Sequence, residues 1–158
     1  MKHTISVLVE NKPGVLARIS GLFSARGFNI DSLAVGETED PTISRMSIVV
    51  DAADERILEQ IKKQLHKLID IITVVDLTKK DFFEHELILL KINLSPKDKS
   101  KIAHIATKLP IKIIDSSEDK MIIEIIGDNA QVKESLEALR PFGISELTRT
   151  GRIAIAKK

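Results

Sequence analysis

The sequence predicts an α+β chain built from two consecutive βαββαβ units, each a four-stranded antiparallel sheet with two helices on one face. Three observations predict it. Alternating apolar segments and helical stripes succeed one another in the order βαββαβ up to residue 77, and the same order recurs from residue 87. A polar stretch, Thr78 to Glu84, separates the two runs and sets Lys79, Lys80 and Asp81 in a row. The 158 residues suffice for two small domains. The expected division is residues 1–77, a linker at 78–84, and residues 85–158.

Residues 4 to 10 alternate, with Ile5, Val7 and Val9 on one face and Ser6 and Glu10 on the other, as in a half-buried strand. Asn11 is a good helix cap, and Pro13 suits a first helical turn. Val15, Leu16, Ile19, Leu22 and Phe23 form an apolar stripe, with Arg18 and Arg26 away from it. Gly27 is placed for a left-handed stop. A second strand spans about Asn29 to Gly36, and Glu37 to Thr42, with Pro41, is a turn. Ile43 to Val50 is the third strand. Asp54 caps a second helix whose buried stripe is Ile57, Leu58, Ile61, Leu65 and Leu68. Ile71 to Leu77 is a β-branched strand.

In the second half, Leu87 to Leu94 is a strand. Ser95-Pro96-Lys97-Asp98 reads as a helix start with Ser95 as cap and Pro96 at the first position. Ile102, Ile105, Ala106 and Leu109 form its stripe, and Pro110 stops it. Ile111 to Asp115 and Met121 to Ile126 are strands around a polar turn. Asn129 caps a helix carrying Val132, Leu136 and Leu139, which Pro141 ends. Ile144 to Thr148 and Ile153 to Ala156 flank Thr150-Gly151 as a hairpin. Small units bury a limited share of their surface, and open sheets expose edges, so both features favour a homodimer or higher oligomer.

Composition narrows the function. Aromatics are 3% of the chain, with neither Trp nor Tyr, so the core is aliphatic. The net charge is +1, which gives no general pull toward nucleic acid or anionic lipid. Without cysteine there is no disulfide, thiolate metal site or Cys nucleophile. Neither a signal peptide nor an apolar run long enough for a membrane is visible, and a cytoplasmic location is expected. The seven glycines match no phosphate-binding pattern, and GxSxG is absent. His3, His66, His85 and His104 stand apart, so no metal site is expected. The carboxylates of Glu37, Glu39 and Asp40, and of Asp51, Asp54 and Glu55, read as a solvated loop and a helix start. Lys97, Lys99 and Lys101 lack interleaved aromatics and read as a solvated helix face.

One stretch stands above these. From Asn11 to Leu16 a helix start offers unpaired N–H groups and the positive end of its dipole, where a carboxylate is stabilised. Gly14 removes a side chain that would block close approach. Strand carbonyls near Asn29 and Ile30 are placed to accept from an ammonium group, and the nearby Val and Leu side chains suit an aliphatic ligand. An ordinary capped helix carries the same signature.

These stretches resemble the small, regulatory subunits of acetolactate synthase (acetohydroxyacid synthase), within the wider ACT superfamily. In the first half the resemblance lies in SVLVENKPGVLARISGLFSARGFNIDSL (Ser6 to Leu33), DPTISRMSIVV (Asp40 to Val50) and EQIKKQLHKLIDIITVVDL (Glu59 to Leu77). In the second it lies in LRPFGISELTRTGRIAIAK (Leu139 to Lys157). It implies an ACT domain followed by a ferredoxin-like domain. It also implies a non-catalytic subunit whose dimers bind valine or another branched-chain amino acid between chains. The bound amino acid would then feed back on a separate catalytic subunit, and that partner is the one expected to carry thiamine diphosphate, Mg and FAD. The ligand residues implied are Asn11, Gly14, Asn29 and Ile30, with Val15 and Leu16 as helix-start neighbours. Departures fall in the second half. His85-Glu86-Leu87 stands where the family usually has Arg-Glu-Leu, and Leu109-Pro110-Ile111 where it often has Phe-Arg-Ala. Two other classes stay open at this point: a stand-alone amino-acid sensor or transcription cofactor, and an enzyme on the same scaffold. No helix-turn-helix or basic arm supports the sensor, and no convergent polar set supports the enzyme.

Overall fold

The computed structural model describes residues 2–158. Its elements run β1 (Lys2–Glu10), α1 (Val15–Ser24), β2 (Ile30–Glu37), β3 (Ile43–Asp51), α2 (Glu55–Leu65), β4 (Ile71–Asp76), β5 (Phe82–Asn93), α3 (Lys99–Ala106), β6 (Ile111–Ser116), β7 (Lys120–Gly127), α4 (Asn129–Leu139), β8 (Ile144–Arg149) and β9 (Ile153–Ala156). A 3-10 turn, Arg140–Phe142, follows α4. Two compact units result. The first holds the chain up to Phe83 together with Arg152–Lys158, and the second holds Glu84–Gly151.

In the first unit the sheet order is β2-β3-β1-β4, and every pair is antiparallel. The alternation of β1 does what its period requires. Ile5, Val7 and Val9 face the helices and pack with Met46, Ile48 and Val50 of β3 against Ile19 and Phe23 of α1 and Leu58, Ile61 and Leu65 of α2. Gly27 takes φ 69°. Its N–H donates to Ser24 O at 3.0 Å, and the Phe28 N–H reaches back to Phe23 O at 3.0 Å. This is the left-handed stop that the sequence predicts. Asp54 caps α2 as predicted, accepting from the Arg56 and Ile57 N–H groups.

The opposite face of this sheet is lined by small polar side chains. Thr4, Ser6 and Ser47 are nonetheless buried. The chain's last strand lies there: Ala154 N–H donates to Ser47 Oγ at 3.3 Å and Arg152 N–H to Ser32 Oγ at 2.9 Å. Ala154 is buried, while Ile153 and Ile155 point outward and stay exposed.

The second unit repeats the order as β6-β7-β5-β8. Ile88, Leu90 and Ile92 of β5 and Ile123 and Ile125 of β7 pack against Ile102 of α3 and Val132 and Leu139 of α4. The face away from the helices leaves Leu89 and Ile126 exposed. Glu86 is buried and held bidentately by Arg149 at 2.7 and 2.6 Å.

Several local expectations are corrected. Ile144 to Ala156 forms no hairpin. β8 pairs with Ile88 to Ile92, while β9 runs on to the entering end of β5, where Lys157 N–H donates to Asp81 O. β5 begins at Phe82, inside the stretch read as a linker. α3 starts at Lys99, because Ser95 to Asp98 closes a turn of its own through Asp98 N–H to Ser95 O. The cap of α4 is Asp128, in a reciprocal capping box with Gln131, and not Asn129.

Candidate functional site

β1 ends at Glu10, and the chain is pinned at once. Glu10 N–H donates to Asp70 O at 2.9 Å and Asn11 N–H to Thr42 O at 2.7 Å. Asn11 does not cap α1, contrary to the sequence expectation. Its Nδ2 instead donates to Pro41 O at 2.9 Å and Glu37 Oε1 at 3.1 Å, bracing the β2–β3 turn. In that turn the hydroxyl and N–H of Thr42 donate to Asp40 and hold its carboxyl below the ordinary aspartate range. Lys12 lies against Glu10 at 2.6 Å, and this carboxylate raises its pKa.

The residue that opens α1 is Gly14, at φ 85°. No side chain caps the helix, and its first turn holds no acid. Its positive end therefore faces outward without a built-in counter-charge. The α2 and α4 N-termini, by contrast, carry Asp54 and Asp128.

One turn along α1, Arg18 is fixed by Asp70. Nε and Nη2 both donate to Asp70 Oδ2, at 2.8 and 2.7 Å. Its Nη1 lies 2.9 Å from where a Cβ on Gly14 would stand. The sequence pattern marks Arg18 only as lying off the apolar stripe and does not single out Asp70. The i to i+4 spacing of Gly14 and Arg18 was a usable signal, since it stacks them on one helix face. Asp70, 52 residues away, gave none.

The predicted site residues fall into two groups. Asn11, Gly14, Val15 and Leu16 share one end of the sheet. Val15 is buried, whereas Leu16 is 44% exposed and leaves the core stripe to which its spacing had assigned it. Asn29 and Ile30 lie at the other end, because Ile30 is opposite Val50 and Val50 opposite His3, while Glu37 is level with Ser44 and Val9. Ile30 and Glu37 are thus about 23 Å apart at roughly 3.3 Å per residue. A single chain does not set the helix start beside Asn29, as the sequence had suggested. There Asn29 Nδ2 bonds to Asp31 Oδ1 at 2.8 Å, and Ile30 packs against the core.

The Gly14 end offers an anion a helix start with no side-chain cap and the remaining guanidinium nitrogen of Arg18, while Arg18 and Lys12 are themselves paired with Asp70 and Glu10. Among the described residues no group of three or more His, Asp or Glu is placed to hold a metal ion.

Comparison with known proteins identifies the family. Residues 5–73 match the model of the acetohydroxyacid synthase small-subunit-like ACT domain, and residues 85–158 match that of the small subunit of acetolactate synthase. The chain is 47% identical over 157 residues to a probable acetolactate synthase small subunit of Archaeoglobus fulgidus, covering 99% of this chain and 98% of that one. A probable small subunit of Methanothermobacter thermautotrophicus is 46% identical over 156 residues, covering 98% and 92%. The crystal structure of the acetolactate synthase small subunit from Thermotoga maritima superposes with a TM-score of 0.90 at 37% identity, over 100% of this chain and 98% of that one. With both halves matched by their own family models and the whole length aligned, the chain belongs to the acetolactate synthase small-subunit family.

Proposed function

We propose that this chain is a regulatory subunit that binds a branched-chain amino acid, valine foremost, and thereby controls a separate acetolactate synthase catalytic subunit in the cytoplasm. It acts as a homodimer or larger assembly. The binding site draws on two copies: Asn11, Gly14, Val15 and Leu16 of one, and Asn29 and Ile30 of the other.

The observation that carries this reading is the separation of the two residue groups along β2. Among the described residues β2 is an unpaired edge of its sheet. Two such edges related by a two-fold axis perpendicular to the strands pair antiparallel. The Ile30 end of one copy then meets the Glu37 end of the other, and Glu37 is the residue that Asn11 holds. Residues far apart in one chain become neighbours across the pair. The ligand carboxylate would take the open start of α1, its ammonium the carbonyls near Asn29 and Ile30, and its aliphatic side chain the exposed Leu16.

The family supplies the partner, and linkage supplies the logic. If the amino acid alters assembly with the catalytic subunit, the catalytic subunit must alter amino-acid affinity by the same factor. Reconstitution with that subunit, assayed with valine, leucine and isoleucine in turn, tests the proposal. The expected result is higher activity on adding this chain and a response to at least one of the three amino acids. Absence of any response, together with no binding of the three by calorimetry, would refute it.

A further inference from the structure

Arg18 lies off the buried stripe of α1, yet its guanidinium is held rigidly. Nε and Nη2 converge on one oxygen of Asp70. Asp70 is buried, and its backbone carbonyl accepts the Glu10 N–H, so the anchor is itself tied to the end of β1. A guanidinium is planar, so two engaged nitrogens fix where the third points. That third nitrogen, Nη1, stands over Gly14, 2.9 Å from the position of a Cβ there. A guanidinium donor is thereby held beside the start of α1, where Val15 N–H donates to Lys12 O at 3.4 Å and no side chain caps the N–H groups that follow.

We propose that Arg18, oriented by Asp70, is a specificity-determining residue of the amino-acid site: Nη1 takes the ligand carboxylate together with the first N–H groups of α1. The inference rests on the site described under the proposed function and adds what that site selects, a free α-carboxylate over an amide or ester. Glycine at position 14 then answers two demands, a left-handed backbone and room for Nη1 above it.

The test measures binding of L-valine and L-valinamide to the full chain by calorimetry. Unaltered protein should prefer valine by at least about tenfold. Arg18→Gln should weaken valine by about 10- to 100-fold, the scale of one hydrogen bond between charged groups. It should barely change valinamide, so the preference collapses toward one. Asp70→Asn should give an intermediate loss by freeing the guanidinium. If Arg18→Gln binds both ligands more weakly by the same factor, or keeps the preference, Arg18 has no such role while the site itself stands. If unaltered protein binds none of the branched-chain amino acids, site and role fall together. Should the variants unfold, the Arg18 Nε–Hε resonance of unaltered protein decides: it should move on saturation with valine, and a signal that stays in place overturns the inference.

Discussion

The two units share one strand order, yet each places its buried carboxylate differently. In the first, Asp70 reaches across to Arg18 and shapes the turn between β1 and α1. In the second, Glu86 joins Arg149 between neighbouring strands, beneath no comparable turn. The corresponding turn there, Ser95 to Asp98, is closed by its own backbone; among the described residues its side-chain ion pair is the local 3.5 Å contact of Lys101 with Asp98, and no side chain from a distant element braces it. The same topology thus yields a helix entrance cross-braced by ion pairs in one unit and a plain connection in the other. The two helix entrances differ through long-range polar bracing, not through the fold they share.

The largest effect that would test this contrast comes from Gly14→Asp. Asp tolerates left-handed backbone better than most residues, at a cost of about 1–2 kcal/mol. The chain should stay folded by circular dichroism. Its Cβ would displace Arg18 Nη1, and its charge would occupy the place proposed for the ligand carboxylate. Amino-acid binding should fall by at least about 100-fold, the factor of a lost charged hydrogen bond compounded by repulsion. Lys97→Asp, in the corresponding turn of the second unit, should leave binding unchanged. Equal losses in both would break the contrast.

Next in size is Arg149→Met. It strands the Glu86 carboxylate and should lower unfolding stability in urea by about 2–3 kcal/mol, less than for a fully buried pair because Arg149 is half exposed. Valine affinity should not change. A parallel loss of affinity would mean that the second unit contributes to the site.

The smallest effect is Asn11→Ala, at about 0.5–1 kcal/mol. Hydrogen exchange gives the sharper readout. Protection should fall at residues 37–42, which Asn11 braces, and remain in the first turn of α1. Fraying of α1 instead would restore Asn11 as its cap.

Much of the architecture could be read from local pattern. Ile5, Val7 and Val9 alternate cleanly, Asp54 precedes a helical stripe, and Gly27 follows one, and each signal lies within a few residues of its effect. The misreadings share a cause. Asn11 has the chemistry of a cap, but its partners lie 26 and 30 residues away. Leu16 stands three residues before Ile19 and seven before Phe23, so spacing alone admits it to the stripe from which packing excludes it. Ile153 to Ala156 alternates as a strand should, but nothing local says which strand it joins. Half of the candidate site, from Asn11 to Leu16, was legible as a helix entrance. Arg18 and Asp70 were not, because their pairing exists only once α1 and the start of β4 have packed.

The return of Arg152–Lys158 to the first unit has a consequence for biosynthesis. A ribosome delivers the first four strands early, and they can pair at once. The small-residue face of Thr4, Ser6 and Ser47 receives its covering strand only after the entire second unit has been translated. The first unit to begin folding is therefore the last to be finished. Until then its nascent sheet shows a bare surface to chaperones and to neighbouring nascent chains, and a ribosome stalled before residue 152 would hold it in that state.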